Sequence, residues 1–116
     1  MATKRQVEGK LRELIARLAG ADSDVRDSLA GALPQSRTIE VLVSDLDASY
    51  WTELSAGRMG TLHRGEPRDP EIRIRVNSDD LIELVDGRRS LFSAYLAGVV
   101  KIDASMGDLL RLRRLA

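Results

Sequence analysis

The chain has 116 residues, of which 18 are basic and 18 acidic, so its net charge is zero. This length suits one domain with a single hydrophobic core, and a neutral chain gives no general electrostatic argument for binding nucleic acid. The lack of cysteine excludes disulfides and thiolate chemistry, and a single histidine, His63, argues against a histidine-based metal site. We therefore expect one domain over residues 1–116, with no metal or other cofactor.

Charge is unevenly distributed along the chain. Residues 1–20 carry a net charge of +3, the last six residues carry +3, and residues 21–110 therefore carry −6. Basic ends of this kind can contact an anionic membrane surface or an acidic partner. The pattern is equally typical of solvated helix faces, which is the simpler interpretation.

Signals for export or membrane insertion are not evident. No apolar run approaches the ~20 residues that a membrane-spanning helix needs. The first residues lack the apolar region of a secretory signal, and the final Arg-Leu-Ala differs from a Ser-Lys-Leu peroxisomal signal. These features predict a cytoplasmic protein.

The N-terminal third of the chain has helical periodicity. Apolar residues between Val7 and Leu18 recur at helical spacing, which predicts a helix over residues 4–19 that ends near Gly20. A second short helix is predicted over residues 22–33, before Pro34.

The period then changes to the alternation that is typical of strands. Strands are predicted over residues 37–44, 50–54, 59–64 and 71–76, with a loop containing Pro67 and Pro70 before the last of them. Because the connections are short, we expect these four strands to form an antiparallel meander.

The C-terminal third returns to helices around one strand. Asn77 or Ser78 is expected to begin a helix, Ser90 another that stops at Gly98, and Ser105 a last one. Between the last two, residues 99–103 alternate as a strand. The last helix should face inward with Met106, Leu109, Leu110 and Leu112. No residue after position 90 suggests acid–base or nucleophilic chemistry, so this stretch is interpreted as enclosing apolar volume.

Four motifs in residues 78–112 resemble the C-terminal half of the sterol carrier protein family. They are Ser-Asp-Asp-Leu at 78–81, Ser-Ala-Tyr-Leu-Ala-Gly at 93–98, Val-Lys-Ile-Asp at 100–103 and Ser-Met-Gly-Asp-Leu-Leu-Arg-Leu at 105–112. The N-terminal half is similar in the order of its elements and in a central tryptophan, Trp51. The chain resembles a stand-alone bacterial-type member of the family, or a relative detached from a larger enzyme. Val99 stands where the family usually has a lysine, and the chain stops at Ala116, without the tail and peroxisomal signal of the animal members.

This resemblance implies a fold and a function. The fold is α+β, with a five-stranded, mostly antiparallel curved sheet covered by about five helices and an apolar tunnel between them. The implied function is non-catalytic binding, and transfer, of a fatty acid, fatty acyl-CoA or sterol. Without the resemblance, the same apolar faces would indicate an ordinary packed core.

The ligand contacts are predicted on the late elements. The residues expected to line the tunnel are Trp51, Val76, Phe92, Leu96, Val100, Ile102, Met106, Leu109 and Leu110. Arg88 and Arg89, beside the helix start at Ser90, are candidates for holding an anionic headgroup, although exposed surface arginines are the simpler interpretation.

The alternative to lipid binding is an interaction module of the same fold with a closed core, which dimerises or acts beside a partner enzyme. Both a monomer and a homodimer are therefore compatible with the sequence. An enzyme is not expected. His63 lacks a nucleophile in its motif, and the adjacent Asp79 and Asp80 suit a helix N-terminus better than paired catalysis.

Overall fold

The structure is a computed structural model that describes residues 1–20, 36–55 and 58–113. Its helices are α1 (Lys4–Ala19), α2 (Ser78–Val85), α3 (Leu91–Leu96) and α4 (Met106–Arg113). Its strands are β1 (Arg37–Val43), β2 (Ala48–Ser55), β3 (Arg58–Met59), β4 (His63–Arg64), β5 (Ile72–Val76) and β6 (Lys101–Asp103), with a 3-10 turn at Ser44–Leu46. The helix predicted over residues 22–33 lies outside the described residues.

The strands form one mixed sheet in the order β3-β2-β1-β5-β6, with β4 also paired to β2. β1 and β2 are antiparallel, as are β5 and β6, but β1 and β5 run parallel. The predicted α+β class with a mostly antiparallel sheet is confirmed, with six described strands in place of five. The simple meander is wrong, because β5 crosses back to pair with β1. A parallel pair needs a long connection, and residues 44–71 supply it.

The two faces of the sheet differ in polarity because side chains alternate along each strand. On one face, Ile39, Val41 and Val43 of β1 stand opposite Ile72, Ile74 and Val76 of β5. On the other face, the buried Glu40 pairs with Arg73. The hydrophobic core lies on the apolar face, where buried residues of α1, α2 and the sheet form one cluster that includes Val7, Leu11, Val43, Val76 and Val85.

Helix α1 is held across the apolar face by its cap and its ion pairs. Thr3 and Gln6 form a reciprocal capping box at its start. Further along, Lys10 contacts Asp86 at 2.5 Å and Glu8 accepts two hydrogen bonds from Arg64, at 2.7 and 2.9 Å. These contacts fix the distance of α1 from both α2 and the sheet.

The last helix faces inward with a different residue from those predicted. Asp108 is 3% exposed, whereas Met106 is 71% and Leu110 54% exposed. Both carboxylate oxygens of Asp108 accept hydrogen bonds from Arg37, at 2.9 and 3.2 Å. The inward orientation predicted for Met106 and Leu110 is therefore wrong, and the inner side of α4 carries this ion pair together with the half-buried Leu109. The side chain of Leu112 lies outside the described residues.

Several element boundaries also differ from the prediction. The strand predicted over residues 59–64 is broken by residues 60–62 into β3 and β4, and the strand over 99–103 shortens to β6. The predicted caps are confirmed at Ser90, which accepts from the backbone N–H of Ser93, and at Ser105. At α2, Asn77 is the N-cap but makes no side-chain hydrogen bond to the helix.

Candidate functional site

An apolar cavity of about 280 Å³ lies between the apolar face of the sheet, α1 and α2. Helix α1 contributes Leu11, Leu14 and Ile15 to its wall, and α2 contributes Leu81, Leu84 and Val85. The rest of the lining is Ile39, Val41, Tyr50, Trp51, Thr52, Leu54, Met59, Leu62, Ile74 and Leu91.

The size and lining of this cavity are those of a site for an apolar molecule. Protein interiors normally pack as densely as organic crystals, so a cavity of this volume is not ordinary core. Its volume is close to the lower end of the range for ligand pockets, about 300–1,000 Å³. Because its lining contains no charged side chain among the described residues, its affinity would come from burying apolar surface.

Two of the lining residues carry hydroxyl groups. Tyr50 is 2% exposed, and this burial, together with the nearby Glu8 carboxylate, raises the pKa of its phenol. Tyr50 therefore stays neutral at physiological pH. Thr52 is 7% exposed, and its Oγ1 has no hydrogen-bond partner within the described residues.

Charged groups sit where α1 meets the sheet and α2, outside the cavity lining. The hydrogen bond from Arg64 is the main reason that the pKa of Glu8 is lowered. The hydrogen bond from Lys10 likewise lowers the pKa of Asp86. Both carboxylates are thus ionised at neutral pH and hold α1 over the cavity, but neither is placed to act on a bound molecule.

Trp51 is the predicted lining residue that the structure places at the cavity. Its ring also stacks on His63, with ring centroids 4.2 Å apart. Val76 and Val100 are buried in the main core cluster, and Ile102 is half-buried against it. Val76, Val100 and Ile102 therefore belong to the packed core and are not among the residues that line the cavity.

The remaining predicted residues lie on α3 and α4. Phe92 and Leu109 are half-buried. Leu96 is 69% exposed, and Met106 and Leu110 are also exposed. The structure does not bring these five residues to the cavity, so their contact with a ligand stays a prediction.

The predicted headgroup residues lie between α2 and α3. Arg88 contacts Asp86 at 3.0 Å and Arg89 contacts Asp80 at 3.8 Å. Both precede Leu91, a cavity residue, by no more than three positions, which is within ~10 Å along the chain. Their contact with a headgroup stays a prediction.

The sequence prediction missed most of the cavity wall. The apolar faces of α1, β1, β2 and α2 were predicted from their periodicity, but Trp51 is the one residue of these elements that was named as a ligand contact. Hydrophobic periodicity identifies a buried face and carries no information on whether the opposing face touches it. No sequence signal would have separated Leu14 or Leu84, which line space, from Val7, which is fully packed.

The groups considered for catalysis are accounted for by other contacts. His63 stacks on Trp51, Asp79 pairs with the N-terminal amine at 3.2 Å, and Asp80 faces Arg89. Among the described residues, no three acidic or histidine side chains cluster as a metal site would require. Within that same part of the chain, no helix is both long and apolar enough to cross a membrane.

Comparison with known proteins gives a family assignment. The model of the SCP-2 sterol transfer family matches residues 4–116. No curated protein was found to match the sequence.

Solved structures share the fold. Sterol Carrier Protein 2 Like 2 from Aedes aegypti is 13% identical, with a TM-score of 0.67 over 97% of this chain and 98% of that one. Palmitated SCP2L2 from the same organism is 14% identical, with a TM-score of 0.64 over 94% and 92%. A variant of the sec-alkyl sulfatase PisA1 is 19% identical, with a TM-score of 0.68 over 98% of this chain and 16% of the sulfatase. At these identities the likeness concerns the fold alone, and it shows that the fold also occurs as part of an enzyme chain.

Proposed function

Because the chain belongs to the SCP-2 sterol transfer family, a family of lipid binding or transfer, we propose that it holds a long-chain lipid in the cavity between the sheet, α1 and α2. The lipid would be a fatty acid, a fatty acyl-CoA or a sterol, and the protein would bind and transfer it without chemical change. The observation that carries this proposal is an apolar cavity of about 280 Å³ whose described lining contains no charged side chain. Domains of this family are typically non-catalytic, although one structural neighbour is a segment of a sulfatase.

The binding energy follows from the lining. Each buried methylene contributes about 0.8 kcal/mol, so an acyl chain of roughly a dozen carbons reaches micromolar affinity after the cost of association. Selection among chains of similar length would be weak, because one methylene changes affinity only a few-fold. The palmitated relative from Aedes aegypti supports an acyl chain as the ligand.

The predicted headgroup residues are close in the chain to a residue of the cavity wall. We propose that an anionic headgroup, when present, lies near Arg88 and Arg89, which precede Leu91 at the cavity wall. Each arginine already has an acidic neighbour, so a headgroup would compete with Asp86 or Asp80. We further propose that transfer proceeds by brief contact with an anionic membrane surface and that the protein acts in the cytoplasm.

A binding experiment with two tryptophan substitutions tests the location of the site. Val41→Trp would fill the cavity from the sheet, and we expect it to weaken binding of a fluorescent fatty acid at least tenfold, because the space for several methylenes is lost. Leu96→Trp is the matched control. Its parent side chain is 69% exposed and was predicted from the sequence to line the ligand, but it lies outside the cavity lining.

The outcomes separate the alternatives. Weaker binding in Leu96→Trp with unchanged binding in Val41→Trp would contradict the cavity and favour a site on α3 and α4. Thermal unfolding of each variant checks that the fold is retained. If the wild-type protein binds no fluorescent fatty acid and releases no apolar molecule to mass spectrometry after denaturation, the carrier proposal fails.

A second candidate function rests on the outer side of α4. Met106 and Leu110 are 71% and 54% exposed, which would suit docking on a second copy or on a partner enzyme. Sedimentation analysis tests whether α4 docks on a second copy of the chain. A dimer that Leu110→Glu dissociates would support it, whereas a monomer at all concentrations would contradict it.

A further inference from the structure

Thr52 is one of the two residues that bring a hydroxyl group to the apolar wall of the cavity. Its side chain is 93% buried, lines the cavity and lies on β2 opposite Ile39, another lining residue. Within the described residues, Thr52 Oγ1 is the one buried side-chain polar atom without a hydrogen-bond partner. Buried hydroxyl groups in folded proteins are almost always hydrogen-bonded, so this one calls for an explanation.

Thr52 Oγ1 is enclosed in the structure, and Gly60 lies beside it, since a Cβ built at Gly60 would stand 3.9 Å away at an ordinary van der Waals distance. A ligand oxygen therefore reaches the hydroxyl by rotation of the Thr52 side chain about χ1, which exchanges its hydroxyl and methyl positions. The other hydroxyl of the wall belongs to Tyr50, which faces the Glu8 carboxylate. Of the two hydroxyl groups in the described part of the wall, that of Thr52 is thus the one without a hydrogen-bond partner.

The residues that line the cavity indicate whether a ligand atom that bonds Thr52 is charged. No lysine, arginine or histidine lines the cavity among the described residues. A carboxylate or phosphate beside Thr52 would therefore lose its hydration without gaining a cation, which is strongly unfavourable. A threonine hydroxyl both donates and accepts, so it can pair with an alcohol or with a carbonyl oxygen.

We propose that Thr52 selects, inside the cavity, ligands whose apolar chain carries an uncharged hydroxyl, ester or ketone oxygen. This inference rests on the proposed function and narrows its ligand class. The oxygen bonds Thr52 Oγ1, while the chain fills the space between α1, α2 and the sheet. An anionic group on the same molecule lies outside, towards the surface.

Three probes of equal chain length test the proposal: 1-decanol, decane and decanoate. Binding is followed by Trp51 fluorescence, since Trp51 borders the cavity, or by calorimetry. Thr52→Val keeps the size of the side chain and removes its hydroxyl. We expect this variant to lose about fivefold in affinity for decanol and nothing for decane, and Thr52→Ser to retain the preference for decanol.

The stability of the free protein gives an independent readout. Replacing a buried, unpaired hydroxyl by a methyl group removes a desolvation cost, so the Tm of Thr52→Val should equal or exceed that of the wild type. A clearly lower Tm would mean that the hydroxyl is bonded within the folded protein, which would overturn the proposal.

The binding outcomes distinguish this inference from the function on which it rests. If decanol and decane bind the wild type but Thr52→Val does not change their ratio, the inference is wrong and lipid binding stands. If decanoate loses as much affinity as decanol in Thr52→Val, the uncharged class is wrong. If the wild type binds none of the three probes, the proposed function itself fails, and this inference fails with it.

Discussion

Asp45 shows how a single residue joins three separate segments of the chain. Its carboxylate accepts hydrogen bonds from the backbone N–H of Ser78 at 2.9 Å and from Ser78 Oγ at 2.7 Å. Ser78 Oγ in turn accepts from the backbone N–H of Ala2 at 3.0 Å. The start of α1, the 3-10 turn and the start of α2 are thereby linked beneath one end of the sheet. The side-chain bond from Ser78 is the main reason that the pKa of Asp45 is lowered.

This lowered pKa predicts a loss of stability in acid. A carboxyl whose pKa is lower in the folded than in the unfolded state stabilises the fold above its unfolded pKa, about 3.9. That contribution is lost as the pH falls through the folded value. We therefore expect the Tm to fall below about pH 4, and Asp45→Asn to lower the Tm at pH 7 and make its acid dependence shallower. Thermal unfolding followed by circular dichroism from pH 3 to 7 measures both effects.

Glu66→Gln is a suitable control, because Glu66 is exposed and has no ion pair within the described residues. The Tm of Glu66→Gln should fall with decreasing pH in the same way as the Tm of the wild type. Glu8 and Asp86 also have lowered pKa values, so Asp45→Asn should keep part of the acid transition. An unchanged slope in Asp45→Asn would contradict the role assigned to the Ser78 network.

Among the elements, α4 depends on one ion pair for its position. The side chains of Arg37 and Asp108 are 12% and 4% exposed and meet through two hydrogen bonds. The bond to Asp108 also raises the pKa of Arg37. Because α4 places Met106 and Leu110 in solvent, apolar burial alone does not fix its orientation.

Removing this carboxylate should therefore be costly. Asp108→Ala removes the carboxylate that accepts two hydrogen bonds from the largely buried Arg37, and we expect it to reduce the free energy of unfolding by about 3 kcal/mol. Asp103→Ala, at an exposed position on β6, should change it by less than about 0.5 kcal/mol. Urea unfolding measures both values. A similar small effect at the two positions would mean that α4 is held by other contacts.

Most elements follow from local signals in the sequence, whereas their pairing does not. The capping residues Ser90 and Ser105, the alternation of β1 and the periodicity of α1 each depend on near neighbours, and these predictions are confirmed. The parallel pairing of β1 with β5 joins residues that are 33 positions apart, such as Ile39 and Ile72. β1 and β5 each have one apolar face, and a strand shows this alternation whether its neighbour runs parallel or antiparallel to it.

For the molecule as a whole, the outer face of the sheet carries two cations, Arg75 and Lys101, for which the described residues provide no ion pair. Arg75 and Lys101 stand directly opposite each other on β5 and β6. Neither has an ion pair within the described residues, and like charges in this position are destabilising. The exposed side chains of Leu96 and Met106 flank β6 in the sequence. Surfaces that contact anionic membranes typically carry both cations and exposed apolar groups.

This surface predicts opposite effects of one substitution on stability and on membrane binding. Lys101→Glu places an acidic side chain opposite Arg75, and we expect the free energy of unfolding to rise by about 0.2–1 kcal/mol. The same change should weaken binding to phosphatidylserine-containing vesicles about fivefold or more, since each basic residue contributes about 1 kcal/mol. Vesicle co-sedimentation at low salt measures the affinity.

Arg68→Glu makes the same change of net charge in an exposed loop. We expect this control to bind the vesicles as the wild type does. Equal weakening in both variants would indicate an effect of net charge alone. If the wild type does not bind phosphatidylserine vesicles in preference to phosphatidylcholine vesicles, the membrane contact is refuted.

The α+β class, the positions of most elements and the family could be read from the amino-acid sequence, because these depend on local periodicity, caps and short motifs. The three-dimensional structure was needed to show that β5 pairs with β1, that a buried ion pair between Asp108 and Arg37 joins α4 to the sheet, and that the space lies between α1, α2 and the sheet. A cavity is a gap between two apolar faces, and each face has the same pattern whether it touches its neighbour or stands apart from it. Thr52 illustrates this limit: in the sequence it is an ordinary strand threonine, and the structure shows a buried hydroxyl without a partner at the wall of the cavity.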